Sequence, residues 1–218
     1  MMNTGIRGVS RWAVAVGLVL VLGPQSWAHA QIGRKISVKD YPSMKEGSPG
    51  LVLIEVSDFQ CPYCGQSARE LLPQVDKDFV QTGKVELIFL DLPLQMHPQA
   101  LQAAEAAACA GDQKKFWEMH HLLFTHQHDL ASAQLPGYAE TLGLDVPDFQ
   151  KCLSSARHGA EIRSSVRVAH SLDISGTPAY VLARRIPGGD KVQVLEIIHG
   201  LPPYEELGKK LNALLASK

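Results

Sequence analysis

Apolar residues run almost unbroken from position 51 to 59, interrupted only by Glu55, Ser57 and Asp58. A stretch apolar on both alternating faces predicts a strand covered by helices on both sides. The period then changes. Ala68, Leu71, Leu72, Val75 and Phe79 recur at helical spacing, which predicts an amphipathic helix beginning at Cys61-Pro62, with proline where a missing N–H is tolerated. Pro73 within it predicts a bend or the end of the helix's first half. Residues 85–90 form a second strand pattern closed by Pro93, and strand–helix–strand order implies a right-handed crossover and a parallel pair.

From about 97 to 172 the pattern is helical. An alanine-dense helix covers 99–110, Phe116, His120, Leu123 and Phe124 mark another, and Ile162, Val166 and Ala169 a third. Pro136, Gly143 and Pro147 read as breaks between them. Strand patterns return at 179–182 and 192–198 around Pro187-Gly188-Gly189-Asp190, a hairpin signal. A last amphipathic helix carries Tyr204, Leu207, Leu211 and Leu214. Before all this, residues 31–50 read as an arm with one short strand at 35–38 and a turn-rich end at 45–50. The whole predicts an α/β fold, a mixed central sheet flanked by helices, with a helical subdomain inserted at about 97–172.

The first thirty residues change the picture of where such a domain works. Arg7 and Arg11 precede an apolar run from 13 to 22, and Ala28-His29-Ala30 offers small residues at the positions signal peptidase reads. This predicts a cleavable signal peptide over 1–30, with cleavage after Ala30, a mature domain over 31–218, and a periplasmic location. Removing Arg7 and Arg11 from the 21 basic residues leaves 19 against 22 acidic ones, net −3. With no basic stripe, nucleic acid is not expected as a partner.

Four cysteines, at 61, 64, 109 and 152, are unevenly spaced. Cys61 and Cys64 would close a ring too small to stabilise a fold, which suits a bond that opens and closes. They also stand where a buried strand ends and a helix begins. Unpaired N–H groups and the helix dipole favour a thiolate there.

The chain resembles the DsbA-like family of thiol–disulfide oxidoreductases, thioredoxin folds with a helical insertion. The resemblance rests on Phe59-Gln60-Cys61-Pro62-Tyr63-Cys64 after a strand, Asp91-Leu92-Pro93-Leu94 with His97-Pro98, Ala106-Ala107-Ala108-Cys109-Ala110 leading to Phe116-Trp117, and Gly176-Thr177-Pro178 before the hairpin. It implies a redox-active Cys61–Cys64 disulfide as the only cofactor, with Cys61 the exposed nucleophile and Cys64 the resolving thiol. It implies a cis-proline at Pro178, with Thr177 offering backbone hydrogen bonds to a substrate strand. Glu55 then lies beneath the disulfide, where burial raises its pKa and lets it relay a proton to Cys64. Cys109 and Cys152 are read as a structural disulfide across the insertion, with a second redox pair as the other reading.

The resulting expectation is a monomeric dithiol oxidase acting on exported, cysteine-containing proteins and recycled by a DsbB-like membrane oxidase. Tyr63 and Thr177 stand where the best-known oxidases resemble one another in carrying His and Val. A reductase or isomerase recycled by a DsbD-like partner is therefore the alternative, although the arm before Leu51 is too short for that branch's dimerisation domain. A copper-handling protein using Cys61 and Cys64 as soft ligands is the rival from another class. His120, His121, His126 and His128 read as a solvated surface, with no metal site expected.

Overall fold

A computed structural model describes residues 1–2 and 31–217. The chain divides into Met1–Ala30 and Gln31–Lys218; apart from its first two residues, the signal-peptide segment lies outside the described residues. In the second unit, six strands form one sheet: β1 (Lys35–Ser37), β2 (Ser43–Met44), β3 (Leu51–Ser57), β4 (Val85–Asp91), β5 (Ala179–Arg185) and β6 (Lys191–His199). Their order is β1-β6-β5-β3-β4-β2. Only β3 and β4 pair in parallel, from Leu51 opposite Val85 to Ser57 opposite Asp91, and the other pairings are antiparallel.

Every residue of β3 is buried, and its alternation sorts two cores. Val52, Ile54 and Val56 pack with Ile88, Ala169 and Val181 on one face. Leu51 and Leu53 pack with Leu72, Phe79 and Leu207 on the other. Each such side chain contributes about 1.5–3 kcal/mol of burial. Glu55 and Ser57 share the second face with Leu51 and Leu53, because side chains two apart point the same way.

The helix leaving Cys61 does not stop at Pro73. It runs as α1 (Pro62–Gln66), a π-helical turn (Ser67–Leu71), α2 (Leu72–Val75) and a second π turn (Asp76–Val80). The Leu72 N–H bonds back to the Ser67 carbonyl, and this wider turn accommodates the proline ring that a tight α-turn would expel. The insertion is α3 (Ala100–Asp112), α4 (Phe116–Thr125), α5 (Leu135–Thr141), α6 (Val146–Ser154) and α7 (Gly159–Ser171), with α8 (Tyr204–Ala216) closing the chain. Pro136 and Pro147, expected as breaks, instead lie in the first turns of α5 and α6, where no N–H partner is lost. The first four insertion helices pack on one another and on the start of α1. α7 turns its Val166 and Ala169 to the sheet. The short β2, in the stretch read as an arm, caps the β4 edge.

Candidate active site

Cys61 is the residue before α1, with extended backbone (φ −71°, ψ 123°), and Pro62 opens the helix. Asp58 shapes the turn that delivers it. Its buried carboxylate accepts from Gln60 N (2.7 Å) and Leu94 N (2.8 Å) and meets His97 Nδ1 at 2.8 Å. These bonds tie the loop after β4 to the turn after β3, while the Asp58 carbonyl accepts from Cys61 N.

Both Cys61 and Cys64 are free thiols. Cys61, expected to be exposed, is only 5 % accessible, because the Thr177–Pro178 loop covers it: its thiol donates to the Thr177 carbonyl at 3.4 Å. The Thr177–Pro178 peptide is cis. A hydrogen bond from Cys64, helped by the N–H groups of Cys64 and Tyr63, outweighs burial and lowers the Cys61 pKa to about 5. The Cys64 thiol moves the other way. Full burial raises it most, with the bond to Cys61 and the charge of Glu55 adding to the rise. A thiolate is therefore favoured at Cys61 and disfavoured one turn later.

Glu55 is completely buried on the α1 side of β3. Its Oε1 accepts from Ser67 Oγ (3.1 Å) and Ser57 Oγ (3.5 Å), and Ser67 Oγ also meets the Tyr180 hydroxyl at 2.5 Å. Its Oε2 has no hydrogen-bond partner among the described residues. Burial raises the Glu55 pKa to about 8, the two serines pulling it part of the way back. The group holds its proton at neutral pH, beside Cys64.

Tyr63 is 64 % exposed. With Gln66, Thr177, Pro178, Gly200 and Leu201 it lines a cavity of about 330 Å³ next to Cys61. The structure thus brings Cys61, Cys64, Glu55, Pro62, Tyr63, Thr177 and Pro178 together. Cys109 and Cys152 lie apart from them, joined in a disulfide between α3 and α6. His158 lies within 4.8 Å of that pair, whose two sulfurs are taken up by the bond.

Two features were not read from the sequence. Ser57, Ser67 and Tyr180 complete the polar pocket around Glu55. Only Ser57 left a signal, two residues from Glu55 on one strand face. The histidine run also needs correction. His121, His126 and His128 are exposed, but His120 is buried, with the rings of Phe59, Phe89, Phe116, Trp117 and Phe124 around it. Burial drives its pKa down to about 3.

A family model described as thioredoxin matches residues 48–191. Among curated relatives, the segment is 43 % identical over 150 residues to "Na(+)/H(+) antiporter NhaA 1" of Salinispora arenicola. It is 40 % identical over 147 residues to "Na(+)/H(+) antiporter NhaA 3" of Salinispora tropica. Each match covers 66 % of this chain but 22 % of the relative, so the chain spans about a fifth of their length. These relatives overturn the expected periplasmic location. The matching segment is there part of a much longer protein named a Na(+)/H(+) antiporter. Among the described residues no helix is long and apolar enough to cross a membrane.

Solved structures share the fold. Oxidised BdbD from Bacillus subtilis superposes with TM-score 0.72 at 19 % identity, covering 85 % of this chain and 98 % of that one. The thiol-disulfide exchange protein alpha-DsbA2 from Wolbachia pipientis gives 0.66 at 22 %, covering 81 % and 88 %. Pseudomonas aeruginosa DsbA2 gives 0.64 at 24 %, covering 80 % and 93 %.

Proposed function

The chain belongs to the thioredoxin family, and on that premise we propose that it is a protein thiol–disulfide oxidoreductase acting as a dithiol oxidase. The observation that carries the reading is the opposed pair of thiols. Cys61 is held towards the anion with a pKa near 5 while Cys64 is held towards the thiol. Stabilising the Cys61 thiolate stabilises the reduced enzyme, and that makes its disulfide the stronger oxidant.

In this reaction a substrate thiolate attacks Cys61 Sγ of the Cys61–Cys64 disulfide. The S–S bond breaks and its electron pair leaves on Cys64 Sγ. Glu55, protonated at neutral pH, supplies a proton to that sulfur. A second substrate thiolate then attacks the substrate sulfur of the mixed disulfide, and Cys61 leaves as the stabilised thiolate. The substrate is oxidised by two electrons and the enzyme pair is reduced by two. The cavity beside Tyr63 and the Thr177–Pro178 edge would hold the substrate chain. Thr177 supports this role, since its Oγ1 is buried there without a partner among the described residues.

The disulfide itself serves as the cofactor. Cysteine-containing protein chains are the substrates, a DsbB-like membrane oxidase reoxidises the pair, and the domain acts as a monomer. Exposed Tyr63 beside Thr177 favours one second reading, a reductase or isomerase recharged by a DsbD-like partner.

Cys64→Ala tests the proposal. It should trap substrates as mixed disulfides on Cys61, which mass spectrometry identifies, while the parent oxidises a dithiol peptide. Absence of adducts, together with no dithiol oxidation or disulfide reduction, would overturn thiol exchange. Faster insulin reduction than dithiol oxidation would favour the second reading.

A further inference from the structure

The loop after α4 reaches across from the insertion to the turn that carries Cys61. Gln127 Nε2 donates to the Phe59 carbonyl at 2.8 Å and to the Cys61 carbonyl at 2.9 Å. One amide group thus grips both sides of Gln60. The Cys61 carbonyl also accepts from Gly65 N at 3.1 Å in the first turn of α1, so this contact sits on the junction of strand, turn and helix.

The close approach depends on a missing side chain. A Cβ at Gly65 would meet Gln127 Oε1 at 1.8 Å and Gln127 Cδ at 2.5 Å, and Arg69 Nη1 at 2.9 Å. The same amide lines a cavity of about 550 Å³ on the insertion side of Pro62, beside Gln60, Arg69 and Gln99.

We infer that Gln127 is a positioning residue for thiol exchange: its amide fixes the Cys61 turn and offsets the carbonyl dipoles beside the reacting sulfur. The physical reason is local. A backbone carbonyl oxygen near a thiolate opposes its charge, and an N–H edge directed at that oxygen reduces the opposition; the Cys61 carbonyl belongs to the reacting residue itself. The insertion would then shape the chemistry of the helix start as well as cover it. This role rests on the thiol-exchange reading, but it can be measured without assuming that reading.

Three variants of the full chain test it: Gln127→Ala, Gln127→Glu and Gly65→Ala. The readout is the pH profile of iodoacetamide alkylation at Cys61 in the reduced protein, with the site confirmed by mass spectrometry. Gln127→Glu places a carboxylate against two carbonyl oxygens. Its profile should move to higher pH by a unit or more, with at least about fivefold less reaction at pH 5. Gln127→Ala should move the profile the same way by less. Gly65→Ala should displace Gln127 most and the Arg69 guanidinium less, so its effect on the midpoint should be smaller when added to Gln127→Ala than when added to the parent.

If Gln127→Glu does not fold, the two alanine variants still decide. Profiles that coincide with the parent's, even with a lower melting temperature, make Gln127 a structural latch only and overturn the inference. If the profiles move but the parent exchanges no disulfide with a model peptide, the thiol-exchange reading fails and the positioning role stands.

Discussion

Replacing Glu55 by Gln probes the buried carboxylate through both stability and rate. In the folded chain it is fully enclosed, and burial raises its pKa from 4.5 to about 8. A carboxyl group that titrates near 4.5 unfolded and near 8 folded binds its proton more tightly in the native state. Its contribution to stability is therefore intact below pH 4.5 and is lost as pH rises through 8. At ~1.4 kcal/mol per pH unit, the gap comes to about 5 kcal/mol. Gln has the same shape and carries no charge. Glu55→Gln should match the parent near pH 4 and gain on it steadily up to pH 8. Urea unfolding under reducing conditions, repeated across that range, measures the difference between the two curves. Parallel curves would refute the buried-acid argument. The kinetic side is separate. Gln cannot give a proton to the departing Cys64 sulfur, so single-turnover disulfide transfer should slow by about 10²-fold, with substrate binding unchanged. An unaltered single-turnover rate would sink the relay.

The Cys109–Cys152 bond closes a loop of 43 residues, worth about 4 kcal/mol in the chain-entropy model. Replacing both by Ala should lower the melting temperature, and an unchanged value would show that the bond is no staple. His120→Phe should flatten part of the acid sensitivity. A histidine whose pKa falls from 6.5 to about 3 on folding contributes stability that is present above 6.5 and lost as pH falls towards 3. That loss amounts to about 3 kcal/mol by pH 4. A variant whose stability falls as steeply with acid as the parent's would disprove it.

Much of the fold was legible because it rests on local rules. The buried strand, the helix after Cys61, the parallel second strand and the hairpin around Pro187-Gly188-Gly189-Asp190 each follow from periodicity and turn chemistry. Where proline was read by its average behaviour, the structure differs. Pro136 and Pro147 start helices instead of breaking them, because a proline's effect depends on which backbone partner it removes. β2 was missed because two residues carry no period, and only the β4 edge makes them a strand. The periplasmic assignment failed for another reason. A leader-like pattern describes thirty residues, while in the relatives the matching segment is part of much longer proteins named Na(+)/H(+) antiporter.

Residue type and spacing alone set the chemistry on offer: two thiols at a helix start, an acid in a buried strand, Thr177-Pro178 ahead of a hairpin, and a second cysteine pair far from the first. Spacing and residue type carry that information within a few neighbouring positions. How those groups are biased follows from the packing of the folded chain. Cys61 came out covered because residue 177 lies over it. Glu55 keeps its proton because Leu51 and Leu53 on its strand face, with the helices packed there, exclude water. Gln127 meets the Cys61 turn across 66 positions of chain. Burial and long-range hydrogen bonds arise from packing distant segments together, and no local pattern records them.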